Sequence, residues 1–152
     1  MATSLATAAY LHGILLAFTP ASFAECDDPL PIDPAVITQE MGLESFSGAN
    51  QTGPVCGLNW EGGSGVTLMI YGPKALADLG LKFTSPKQAA EKYAGESPKG
   101  VEAMPGAPNA YMVFDPKTPS RRVFVESNKN VYMIVMSQNP VPLAILAKAL
   151  VK

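Results

Sequence analysis

Three side chains bound the chemistry open to this chain: one histidine, His12, and two cysteines, Cys26 and Cys56. Imidazole is the usual base for an activated Ser or Cys nucleophile and the commonest ligand for zinc, copper and haem. His12 lies in a short apolar run, Leu11 to Phe18, and Pro20 follows that run. Ser22 and Ala24 stand three and one positions before a cut after Ala24, the layout of a secretory signal peptide. Cleavage there removes the sole imidazole, and with it Ser-His-Asp and Cys-His catalysis and His-based metal ligation. The positive n-region rests on the terminal amine alone, because residues 2–13 hold no Lys or Arg. The alternative is an amphipathic or buried N-terminal helix of a cytosolic protein. The run is too short to span a bilayer, which takes about 20 apolar residues. Glu25 precedes Cys26 where a lipobox needs a small residue, so the expected mature chain starts at Glu25 and is soluble rather than lipid-anchored.

An even pair of cysteines in an exported chain reads as a disulfide, here Cys26 to Cys56. It would tie a turn-rich N-terminal segment, Asp27-Asp28-Pro29-Leu30-Pro31-Ile32-Asp33-Pro34, to the body of the domain. Two free buried thiols are the alternative, and the spacing is not the C-x-x-C of a redox pair.

The remaining candidates for chemistry are carboxylates, methionines and an arginine pair. Asp27, Asp28 and Asp33 offer oxygens for a cation but lack the D-x-[DN]-x-[DN]-G pattern of a calcium loop, so a solvated loop is the plainer reading. Glu102 and Asp115 are candidates for a pair in acid–base work, with no spacing that requires it. No S-x-x-K or G-x-S-x-G occurs. Met69, Met112, Met133 and Met136 sit in apolar strand-like runs, where core filling explains them better than soft copper ligation. Arg121 and Arg122 make a small basic patch near Lys117, suited to an acidic partner or to keeping a strand end from pairing. Neither a catalytic set, a metal site nor a cofactor is expected.

The elements that must carry these residues read as follows. Asp33-Pro34 opens a helix, Pro34 to Met41, that Gly42 ends. Leu43 to Pro54 reads as a polar loop. Val55 to Glu61, with Cys56, Leu58 and Trp60 at period two, pairs with Val66 to Tyr71 across the turn Gly62-Gly63-Ser64-Gly65. That glycine run lacks the Lys and Ser/Thr of a phosphate loop. Gly72 to Leu79 is irregular or helical, and Ser85-Pro86 starts a helix, Lys87 to Ala94, with Ala89, Ala90 and Tyr93 on its apolar face. Lys99 to Ala107 is Gly- and Pro-rich. Strands follow at Ala110 to Phe114, Arg122 to Glu126 and Val131 to Met136, the last apolar throughout and so buried on both faces. A helix from Asn139 or Pro140 to Val151 closes the chain. The sum is an α+β fold: residues 25–152 as one domain, an antiparallel sheet of five or six strands with helices packed against it.

Composition narrows function further. Of 152 residues, 47% are apolar and 16% charged, with a net charge of -2. That excludes a disordered, highly charged chain and leaves no cation excess for binding nucleic acid. No segment of the mature chain is long and apolar enough to cross a membrane as a helix. Cys26, Cys56 and Trp60, then Val66 to Tyr71 and Val131 to Val151, make the chain resemble the actinobacterial secreted lipoproteins with a PsbP-like α/β/α fold. The likeness covers most of the mature chain, through short motifs, and the Glu25-Cys26 junction departs from the lipidated cysteine frequent in that group. The resemblance implies a non-catalytic secreted domain. The expectation is therefore a periplasmic or secreted, non-enzymatic domain that binds a protein partner in the cell envelope, as an inhibitor or immunity-type protein would. Its contacts would come from Glu44, Phe46 and Asn50 in the first long loop, from Met104, Asn109 and Tyr111 in the second, and from Arg121 and Arg122. The second hypothesis is a small-molecule or lipid carrier with a pocket between sheet and helices. The third is a carboxylate hydrolase.

Overall fold

The computed structural model describes Cys26 and residues 30–61, 65–95, 100–114, 120–136 and 141–151, with backbone alone at 50–52. The proposed signal peptide, Asp27, Asp28, Asp115 and the turn residues 62–64 lie outside them.

Seven strands form a single antiparallel sheet. They are β1 (Phe46–Thr52), β2 (Val55–Trp60), β3 (Thr67–Tyr71), β4 (Val101–Met104), β5 (Ala107–Phe114), β6 (Arg121–Ser127) and β7 (Asn130–Met136), in the spatial order β1-β2-β3-β7-β6-β5-β4. Four helices join them: α1 (Pro34–Met41), α2 (Pro73–Asp78), α3 (Pro86–Ala94) and α4 (Leu143–Ala149). The sheet is thus two meanders, β1-β2-β3 and β4-β5-β6-β7, zipped along β3 and β7. The connection through α2 and α3 carries the chain to the far edge, from which the second meander returns.

Each face of the sheet buries its own cluster. Strand residues alternate between faces, so Leu58, Trp60, Leu68, Ile70, Met112, Val123, Val125, Ile134 and Met136 form one core with Ile37 of α1 and Leu146 of α4. Val113, Phe124, Val131 and Met133 form the other with Leu76 of α2 and Ala89 and Ala90 of α3. β7 serves both, as its continuous apolar run requires, and it is the central strand of the seven.

The α+β class holds, but the count of five or six strands is corrected to seven. The two additions are β1, inside the expected loop Leu43–Pro54, and β4, inside the Gly- and Pro-rich stretch Lys99–Ala107. In β1 a bulge hides the strand. Phe46 pairs with Trp60 and Gly48 with Asn59, so one residue of β2 faces two of β1. The core-facing residues Phe46 and Ala49 then fall three apart, and the period of two disappears. Gly48 takes φ +121 there, a backbone region side chains rarely enter. In β4 only four residues pair, framed by Gly100, Pro105 and Gly106, too few for a pattern.

Helix α1 forms as its cap predicts: Asp33 Oδ1 accepts from the Ala35 N–H at 2.9 Å. Ser85 precedes α3 but makes no side-chain cap bond. α4 starts later and ends earlier than its apolar stripe implies. It begins after Pro142, and Leu150 leaves it to bridge Ile32, with Val151 N–H donating to Pro31 O at 2.9 Å. Lys148 of α4 meets Glu40 of α1 at 2.8 Å, an exposed pair that adds little stability.

Candidate functional site

Cys26 and Cys56 form a disulfide, with Cα atoms 5.4 Å apart and 30 positions between them. A structural bond of this kind persists outside the reducing cytoplasm. It fastens the start of the domain to β2, the strand beside the β1 edge. On the same side Trp60 ties α1 to the sheet: its Nε1–H donates to Thr38 Oγ1 at 2.8 Å, and the Thr38 hydroxyl donates to Pro34 O at 2.9 Å. Phe46 of β1 packs its ring on Trp60, centroids 5.2 Å apart.

The residues expected to contact a partner do not share one surface. Glu44 is exposed just before β1, Phe46 is half-buried on β1, and Asn50 stands opposite Gly57 in the β1–β2 register. Asn109 and Tyr111 belong to β5, five strands away, roughly 24 Å at about 4.8 Å per strand. Met104 is 2% exposed and packs in the core, so it is not presented to a partner. Tyr111 is half-buried on the α2/α3 face, opposite Phe124. Arg121 lies over the Phe114 ring at 5.4 Å, and Arg122, on the opposite face, lies over Tyr93 at 5.2 Å and donates to Ser120 Oγ at 3.0 Å. The two guanidiniums are split between the two sides of the sheet by strand alternation and do not make one basic patch.

What the sequence reading missed is backbone rather than side chain. β1 is an edge strand with one neighbouring strand among the described residues. A two-residue turn, Gly53-Pro54, closes the β1–β2 hairpin on the pair Thr52–Val55. In a ladder closed that way Thr52 and Asn50 direct their N–H and C=O groups to β2, while Gln51 and Ala49 direct theirs outward. The strand Phe-Ser-Gly-Ala-Asn-Gln-Thr carries no charge. Native edges are usually blunted by Lys, by Pro, by shortness or by a bulge; along its seven residues β1 has neither charge nor proline, and its bulge at Ser47 is its one such feature. The signal for this in the sequence was the turn dipeptide Gly53-Pro54 between an uncharged run and the clear strand at Val55.

A concave feature lies on the α1/α4 face, at the start of β5, the end of β6 and the turn that follows it. It is a groove of about 680 Å³ between those strand ends and the C-terminal end of α4. Among the described residues no group of three His, Cys, Asp or Glu stands together as a metal site would need. Asp33 is the cap of α1, and Glu102 is exposed on β4. No described helix is long and apolar enough to cross a membrane. Set against protein-family models, curated proteins and solved structures, the chain matches none of them.

Proposed function

We propose that this is an exported, non-enzymatic binding domain that takes an extended segment of an envelope protein onto the free edge of β1. The observation that supports it most is the edge itself: seven uncharged residues whose alternate backbone groups face no neighbouring strand among the described residues. Strand addition satisfies those groups with main-chain hydrogen bonds and takes specificity from the side chains that flank them. The exposed Glu44 and the position of Asn50 give that edge its polar flank. The disulfide and the Trp60–Thr38 bond hold β2 and α1 firm behind β1, which lowers the ordering cost of binding. Residues 1–24 act as the export signal in this reading, and the disulfide agrees with a periplasmic or secreted location. An inhibitor or immunity-type role follows if the captured segment belongs to the partner's working site.

The test combines a photo-crosslinker at position 50, to identify the partner in the envelope fraction, with amide hydrogen exchange on the purified pair. Binding should slow exchange at Ala49 and Gln51. Gln51→Pro removes one outward N–H without breaking the β1–β2 ladder and should weaken the complex at least tenfold, the cost of about one well-made bond and its neighbours. A purified partner that binds while Ala49 and Gln51 exchange as before would sink the edge reading.

A further inference from the structure

The groove at the α1/α4 face has a built charge pattern, and we propose that it holds a free single-chain carboxylate amphiphile, with its chain along α4 and its head at Lys129. The floor is apolar and narrow: Ala110 and Val125 from the sheet, Ala147, Leu150 and Val151 from α4 and its continuation. Gly106 and Ala147 bound a second hollow of about 340 Å³, which continues the first past Ala144. Gly106 takes φ +79, a backbone region that favours glycine, and a Cβ there would only touch that of Ala147 at 3.4 Å. From Ala144 to Ala149 the helical wall spans roughly 7.5 Å at about 1.5 Å per residue, and the extended Leu150 and Val151 add about 3.3 Å each. A trough of this length and small-residue lining suits an extended chain better than a broad ring system.

Charge decides the head. Glu126 contributes to the lining, but it lies on the strand face of Phe124, which belongs to the α2/α3 core, and so its carboxylate projects away from the groove. Lys129 remains as the charged side chain at this end, beside Asn128, while Lys148 at the far end is paired with Glu40 at 2.8 Å. The last turn of α4 does not offset it strongly: Leu146 O accepts from Leu150 N–H and Ala149 O from Asp33 N–H. A carboxylate therefore meets a cation and amide donors at one end of an apolar trough, the arrangement that fixes orientation in small-molecule sites.

The β6–β7 turn forms the same rim. Asn128 and Lys129 are the non-glycine residues with positive φ among those described, at 49° and 63°. They form the two-residue β6–β7 turn, in which the second position favours glycine. Both residues take the positive φ such a turn requires, with lysine where glycine would fold more easily. Ser127, 2% exposed, accepts from Asn128 Nδ2 at 3.3 Å and steadies the turn against the groove.

Titration calorimetry on the oxidised full chain tests this, with dodecanoate and dodecyltrimethylammonium below their micelle concentrations and anionic phospholipid vesicles as a third arm. Dodecanoate should bind at one equivalent and the cationic analogue at least tenfold more weakly. Lys129→Gly should weaken dodecanoate about tenfold, as loss of a charge-assisted contact does, with a melting temperature no lower than wild type. The proposal fails if dodecanoate does not bind, if both amphiphiles bind alike, if Lys129→Gly binds as wild type, or if vesicles hold the protein while free dodecanoate does not. The groove is remote from β1, so either outcome leaves the strand-addition reading to its own test.

Discussion

The two edges of the sheet differ in almost every respect that governs pairing. β4 is four residues long, carries Glu102, ends at Pro105-Gly106 and is covered by α3. β1 is seven residues long and uncharged, α1 packs on one of its faces, and no strand pairs with its outer side among the described elements. Both edges emerge from the same sheet and both are bulged or irregular in register. β4 is thus blunted by shortness, charge, proline and a covering helix, and β1 by its bulge alone. The difference teaches that exposure of an edge is a property selected strand by strand.

The sharpest way to separate the two ends is to empty the core beneath each. Trp60→Ala should cost about 3–5 kcal/mol, the range for deleting a large buried ring, and it also removes the bond to Thr38. Amides of β1 and α1 should then exchange fastest. Phe124→Ala, which removes the ring packed 5.7 Å from Tyr93, should cost a similar amount but loosen α3 and β4 and leave β1 protected. Equal loosening of both ends by either variant would mean that the sheet melts as one unit and the contrast has no energetic meaning.

Reduction of Cys26–Cys56 comes next. Closing a loop of 30 positions is worth about 3.5 kcal/mol by chain entropy, an upper figure. The bond joins β2, so chemical denaturation of the reduced protein should show the loss, with early exchange at Cys56 and at Asn50, whose N–H faces β2, and little change along β4.

How much of this could be read from residues alone follows from the same contrast. Where both faces of a strand meet core, as in Val131–Met136, the apolar run declares the strand and its central place. Where Asp33-Pro34 caps a helix, local chemistry is sufficient and the boundaries agree to the residue. β1 and β4 escaped because neither needs alternation: an extra residue at Ser47 shifts one, and only four residues make the other. The long final stripe overran α4 because Leu150 serves a tertiary bridge to Ile32, which no periodicity encodes. The candidate contacts were chosen as loop tips, so their separation to opposite edges of the sheet, and the burial of Met104, required the strand order. The groove was foreseeable only in type, as a space between sheet and helix, since its walls come from Gly106, Val125 and Leu150 in three distant segments.

The bulge itself gives a smaller, cleaner comparison. Gly48 has nothing within 4 Å of a would-be Cβ, so Gly48→Ala meets no clash. Its cost is conformational, about 1–3 kcal/mol for a side chain at φ +121. The protein can avoid that cost by sliding β1 one residue, which would carry Phe46 off the core face. A drop in stability with the Phe46–Trp60 contact kept, seen as an unchanged Trp fluorescence maximum, supports a fixed register. A red-shifted maximum means that the edge slips, and that β1 is held in place by the bulge more than by its packing.

The smallest effect has the opposite sign. Lys129 adopts φ 63 in the β6–β7 turn. A left-handed conformation costs a side chain roughly 1–2 kcal/mol, and glycine gives back up to about 1 kcal/mol through the entropy of its unfolded chain. Lys129→Gly should therefore stabilise by about 0.5 kcal/mol, a rise of roughly 1–2 °C for a domain of this size. Neither edge strand adjoins this turn, so the exchange rates of β1 and β4 should both follow the global gain equally. A variant that melts higher yet loses dodecanoate would show a lysine kept at the expense of stability. A variant that melts lower would place Lys129 in the support of the hairpin, through contacts of its aliphatic stem, and the preference for glycine at that turn would then be overridden locally.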